Sequence, residues 1–154
     1  MIVSNKRLNK CKNEGDYYEN LFKEKIITNG FVYKKSTDKE DWYKHIDCYV
    51  NGYGVDVKGE KSINEIWIEY KNVNGNDGWV SGDAYYIAFF IIEFKKFCVF
   101  NRVDLLNYIK SLDKIFTTNK ADFNKFYTRE KWGKKDQIVR VKYDDIKELE
   151  RIKL

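Results

Sequence analysis

Apolar residues in this chain recur with two periods, and the switching between them sets out most of its elements. In "GDYYENLFKEKIITNG", residues 15–30, Tyr18, Leu21, Phe22 and Ile26 fall on one helical stripe, and Asn29-Gly30 is a stop signal. "FVYKKS" then reads as a strand, and the polar "TDKEDWYK" as a loop. "HIDCYVNGYGVDVKG", residues 45–59, reads as a β-hairpin turning at Asn51-Gly52-Tyr53-Gly54. "EIWIEYKN", residues 65–72, alternates as a further strand, and the glycine-rich "NVNGNDGWVSGD" is a loop. "AYYIAFFIIE" and "KFCVFN" are strands around an "EFKK" turn; "VDLLNYIKSLD" is a helix, "QIVRVKY" a strand, and "DDIKELERI" a helix capped by Asp144 or Asp145. Residues 114–135 carry no clear period. The order predicts one α/β (α+β) domain over residues 1–154, built on a mixed central β-sheet flanked by helices.

The hairpin departs from this simple patterning. A four-residue loop pairs Val50 with Val55, Tyr49 with Asp56 and Asp47 with Lys58. A two-residue Asn51-Gly52 turn keeps the same sorting, because only an odd shift exchanges the faces. Ile46, Cys48, Val50, Val55 and Val57 then share an apolar face, and Asp47, Tyr49, Asp56 and Lys58 share the other. Two carboxylates a few ångströms apart repel unless a cation lies between them. Oxygen ligands without His or Cys suit Mg²⁺ or Mn²⁺. A lysine beside such a metal can orient or deprotonate a water, or steady charge on a phosphorane. The set suits metal-assisted phosphodiester hydrolysis; a plain cross-strand Asp–Lys pair on a solvated face is the structural alternative.

Composition narrows the classes. Hydrophobic residues make up 43% and charged residues 34%, with no apolar run long enough to span a bilayer, so a globular protein in the cytoplasm is expected, with no membrane partner. No stretch near the N-terminus resembles a signal peptide. Three scattered cysteines, Cys11, Cys48 and Cys98, with one histidine, His45, argue for reduced structural thiols and against zinc or a disulfide framework. His45 and Cys48, three apart along a strand, point to opposite faces, which disfavours a Cys/His nucleophile. The net charge of +5 suits a polyanionic partner.

Asp47, followed by Asp56-Val57-Lys58 on the next strand, resembles the PD-(D/E)XK nuclease signature, found in many restriction endonucleases, archaeal Holliday junction resolvases and phage nucleases. Ile46 stands where many members carry proline. The helix–meander–helix–strand order is similar over about the first 110 residues. Resolvase-like members carry a glutamate on the first helix, and Glu19 matches it, although Asp16-x-x-Glu19 also reads as a capping box. The resemblance implies a Mg²⁺ (or Mn²⁺) site held by Asp47, Asp56 and Glu19, with Lys58 as the catalytic lysine. Glu69-Tyr70-Lys71 is a second E-x-K, so Glu69 is an added candidate, as ligand or base, on an adjacent strand.

For nucleic-acid contact the candidates are Lys71, Trp79 stacking on a base or covering the end of the sheet, and Lys131, Lys134, Lys135 and Arg140 from a basic, aromatic-rich segment. Gly75, Gly78 and Gly82 would let the backbone approach a ligand. The resulting expectation is a Mg²⁺-dependent DNA endonuclease, resolvase-like on branched DNA and hence a homodimer. The alternatives are a non-catalytic nucleic-acid binder on the same fold, or a phage nuclease acting on linear DNA or RNA. A proline-free, Lys/Asn/Ile-rich composition fits an AT-rich genome, a phage or its low-GC host.

Overall fold

The computed structural model describes residues 2–59, 63–117 and 120–154, without the side chains of 2–9 and 11. Cys11 as a thiol therefore lies outside the description, while Cys48 and Cys98 are buried and free. The elements are α1 (Ile2–Thr28), β1 (Tyr33–Lys35), α2 (Asp38–Lys44), β2 (Cys48–Val50), β3 (Tyr53–Gly59), β4 (Glu65–Lys71), β5 (Tyr86–Ile91), β6 (Lys96–Asn101), α3 (Arg102–Ser111), β7 (Phe116–Thr117), β8 (Phe126–Tyr127), β9 (Gln137–Lys142), α4 (Tyr143–Ile146) and β10 (Glu150–Lys153). Short 3₁₀ turns cover Trp79–Ser81, Glu130–Trp132 and Lys147–Leu149.

The fold is a mixed α+β arrangement of two sheets rather than one. A six-stranded sheet runs β1-β2-β3-β5-β6-β10, and a four-stranded sheet runs β4-β9-β8-β7. Phe22 and Ile26 of α1 cover one face of the larger sheet, against Cys48, Val55, Val57, Ala88, Phe97 and Val99. Its other face, with Ile87, Phe89, Ile91 and Phe100, packs on Ile66 and Ile68 of β4, on Val139 and Val141 of β9, and on Leu105 and Ile109 of α3. Strand β5 is therefore apolar almost throughout, as a strand buried on both faces must be.

The expected meander is broken at β4. Strand β3 pairs in parallel with β5, and β4 leaves to pair with β9, so "IDCYV" and "EIWIEYK" are not partners. Helix α1 extends back to Ile2, which places Asp16 and Glu19 mid-helix and removes the capping-box reading of that pair. The predicted loop "TDKEDWYK" is helix α2. Its Thr37 side chain accepts the Glu40 N–H and Glu40 accepts the Thr37 N–H, a capping box, and the Tyr49 hydroxyl also donates to Glu40 at 2.7 Å. The predicted last helix is only α4, starting after an Lys142 N-cap, and the chain then becomes the edge strand β10 beside β6. The hairpin uses the two-residue turn: Val50 faces Tyr53 and Cys48 faces Val55, with φ of 49° at Asn51 and 86° at Gly52, a type I′ geometry. Ile46 departs from its expected face. His45, at φ 54°, turns the chain before β2, and Ile46 packs in the core between the sheets.

Candidate active site

Strand β3 sets the centre of the site. Val55 and Val57 face α1, so Asp56 and Lys58 point the opposite way, into the space between the sheets. Asp56 lies beside Ile87 and Lys58 beside Phe89 on the parallel neighbour β5. Asp56 is 2% exposed. Its Oδ1 accepts from the Lys58 ammonium at 2.8 Å, and its Oδ2 is buried without a hydrogen-bond partner. The Lys58 side chain keeps 30% exposure along its length, while its ammonium is anchored to Asp56.

Asp47 arrives from the other arm of the hairpin. Its N–H continues the ladder to the Val55 carbonyl at 2.9 Å. The chain then bends away at His45, and the next rung is made by a side chain: the Val57 N–H donates to Asp47 Oδ2 at 2.6 Å. Asp47 thus sits just before β2, 7% exposed and within electrostatic reach of Asp56. Burial, followed by the charge of Asp56, pushes its carboxyl from 3.8 up to about 8, against the pull of the Val57 N–H and Lys58, and Glu19 adds to the rise. Burial works against the charge on Lys58, but Asp56 more than offsets it, with help from Asp47 and Glu69, so Lys58 is held above its usual range. Lys58 is therefore a firm cation and fits the role of orienting or charge-stabilising group rather than base.

From the second sheet, Glu69 lies within electrostatic reach of Lys58 and accepts a hydrogen bond from the Trp79 backbone. Burial raises its carboxyl above the ordinary range, while Lys58 and the Trp79 N–H pull it down. Gly78 makes this approach possible: a Cβ there would lie 2.4 Å from the Glu69 carbonyl oxygen. Glu69 joins the site across the gap between sheets, and not from a neighbouring strand of the same sheet.

Glu19 of α1 is ion-paired with Lys35 of β1. It influences Asp47 electrostatically but is not gathered with Asp47 and Asp56 into one cluster. Among the described residues, no three His, Cys, Asp or Glu side chains converge as a ready-made metal cage. The Asp47–Asp56 pair alone still fits a hard cation. It offers an all-oxygen donor set, one unpartnered buried oxygen and one carboxyl pushed up by burial and then by its neighbour, an environment that a cation between them would relieve.

The expected nucleic-acid residues divide. Trp79 is buried at 8% exposure, packed edge-on against Phe89 at 5.7 Å, with the Lys58 ammonium 5.3 Å from its ring. It covers the core and Lys58, and has no free face for a base. Lys71 is tied to Asp77 at 2.5 Å across its own loop. Arg140 is bonded to Glu65 at 2.7 Å and lies over the rings of Phe123 and Trp67, at 4.0 and 5.7 Å. These three serve the protein's own packing. So do the loop glycines, since Gly78 meets Glu69, Gly82 meets Lys44 and Trp79, and Gly75 meets Lys135. Lys131, Lys134 and Lys135 are exposed on the segment between β8 and β9. Arg129 and the buried Asp136 pin the two ends of that segment with hydrogen bonds of 2.8 and 2.5 Å. Lys35 was missed by the sequence reading. Its signal was modest: a lysine at the end of a short strand whose partner strand leads into Asp47.

No protein-family model and no curated protein sequence matches the chain. Among solved structures, the chain is similar to a bacterial homing endonuclease, I-Ssp6803I, at 18% identity and a TM-score of 0.48, over 63% of this chain and 72% of that one.

Proposed function

We propose that the protein is a metal-dependent DNA endonuclease that hydrolyses phosphodiester bonds, with Asp47, Asp56 and Lys58 at its centre. The single observation that carries this reading is the buried carboxylate pair with an unpartnered Asp56 oxygen and the Lys58 ammonium bonded to its other oxygen. A purely structural Asp–Lys pair has no use for a second buried carboxyl that burial and repulsion push up to about 8.

Asp47 and Asp56 would hold Mg²⁺ or Mn²⁺, which when bound supplies charge neutralisation at the scissile phosphate and an acidified water. Lys58, fixed by Asp56, donates from its ammonium to a non-bridging phosphate oxygen or to the attacking water. Glu69 opposes Lys58 from the second sheet and limits where that ammonium can sit. The Trp79 ring beside Lys58 excludes water from one side of it. Products of this chemistry in the resembled superfamily carry 5′-phosphates.

Branched DNA is the favoured substrate, as in Holliday junction resolvases, and symmetric cutting of a junction calls for a homodimer. The test is cleavage of a four-way junction and a matching linear duplex with Mg²⁺, Mn²⁺ or EDTA, by wild type and Asp56→Ala. Metal-dependent cutting that Asp56→Ala abolishes supports the nuclease, and a preference for the junction supports the resolvase. Tight binding without cutting of either DNA rejects both in favour of a non-catalytic binder, and cutting of the duplex or of RNA alone moves the substrate.

A further inference from the structure

Lys35 stands next to the site without a place in the chemistry above. It faces Cys48 across β1 and β2, one residue from Asp47. The following residue, Ser36, locks this arrangement: its N–H and its hydroxyl both donate to the Asp47 carbonyl, at 3.2 and 2.8 Å. The Lys35 side chain is 56% exposed, so its ammonium is open to an incoming anion, yet it is ion-paired with Glu19. Glu19 is only 23% exposed and lies close enough to Asp47 to add to the charge that Asp47 feels. A carboxylate near a carboxylate pair is thus neutralised by a lysine that solvent can reach.

We propose that Lys35 is a phosphate-contacting residue at the mouth of the site, and that it holds Glu19 back from the cation until a nucleic-acid phosphate takes Glu19's place. This rests on the reading of Asp47 and Asp56 as a cation site. A backbone phosphate oxygen accepts from the Lys35 ammonium as a carboxylate does, and its neighbouring phosphates along the strand add to the attraction. Glu19 is then released beside Asp47 and adds a third carboxylate to the pair. Cation and nucleic acid bind cooperatively as a result, and the coupling is reciprocal. The protein would bind divalent metal weakly alone and firmly with substrate, using one ion pair as the link.

The test is Mn²⁺ titration followed by electron paramagnetic resonance, without nucleic acid, on wild type, Lys35→Met, Glu19→Gln, the double variant of these two, and Asp56→Ala. Lys35→Met is expected to tighten Mn²⁺ binding about tenfold by freeing Glu19. Glu19→Gln alone should bind as wild type does, because Glu19 is already occupied, and the double variant should lose the gain. A short phosphorothioate duplex should then tighten Mn²⁺ more in wild type than in Lys35→Met. Unchanged affinity in Lys35→Met overturns the proposal. So does a gain that survives in the double variant, since Lys35 would then act only through its charge. So does a loss in Glu19→Gln alone, which would make Glu19 a standing ligand. Mn²⁺ binding that Asp56→Ala removes but Lys35 does not affect rejects this proposal and leaves the cation site intact. No Mn²⁺ binding in any protein rejects both.

Discussion

Asp47 is the residue whose energetics most constrain the account. Its carboxyl is pushed from the ordinary 3.8 up to about 8 in the fold, first by burial and then by Asp56. A group raised on folding contributes most below its unfolded value, and the contribution is lost as pH rises through the folded value. Metal-free protein should therefore lose stability steadily between pH 4 and 8, in urea melts with EDTA. Asp47→Asn should flatten this slope and be more stable than wild type at pH 8. A slope unchanged by Asp47→Asn would show that folding does not raise the Asp47 carboxyl. The residues behind this prediction were legible in the sequence, because side-chain alternation alone places Asp47, Asp56 and Lys58 together. What could not be read was that Asp47 uses its carboxylate as a rung of the ladder, since that depends on the αL turn at His45. For the same reason Ile46 was assigned to the wrong face.

Among the elements, the segment 72–82 joins the two halves of the site. Gly78 lies against the Glu69 backbone and Trp79 against Lys58, so the loop that reads as ligand-binding is a strut between the sheets. Gly78→Ala places a methyl into the Glu69 carbonyl, which cannot yield without shifting β4. It should cost about 2 kcal/mol in chemical denaturation, and a melt equal to wild type would refute the close contact. Helix α2 makes a second case. Thr37→Ala removes the cap and should cost about 1 kcal/mol, again read from urea melts. The T-x-x-E signature at Thr37 and Glu40 was present in the chain, but the helix is short and carries no buried residue, so no apolar stripe announced it. For Trp79 the sequence left stacking and covering both open. A tryptophan in a glycine-rich loop is equally compatible with stacking on a ligand and with closing a core, and only the three-dimensional contact with Phe89 and Lys58 decides.

At the scale of the molecule, the helices and most strands follow from periodicity, and the partition into two sheets does not. Strand β4 alternates cleanly enough to sit beside the hairpin, yet its partner β9 lies some seventy residues onward, with Trp67 opposite Arg140. Long-range pairing of this kind leaves no local trace. The partition also sorts the basic residues. Arg140 and Lys71 are spent on Glu65 and Asp77, whereas Lys131, Lys134 and Lys135 stay exposed on a segment pinned by Arg129 and Asp136. Replacing those three lysines with alanine should lower the salt slope of DNA binding by about 2–3. Arg140→Ala should leave the slope unchanged while reducing stability. The reverse outcome would place the nucleic acid on the outer face of the smaller sheet. Among the described residues no helix is long and apolar enough to cross a membrane.

The central claim is that Asp47 and Asp56 together hold a divalent cation. The measurement that bears on it most directly is anomalous diffraction from crystals soaked in Mn²⁺, on wild type and Asp56→Asn. The account predicts an anomalous peak between the two carboxylates in wild type, in contact with the Asp56 oxygen that lacks a partner, and none in the variant. A wild-type peak elsewhere, or none with the carboxylates unmoved, would contradict it and leave Lys58 and Asp56 as a structural ion pair.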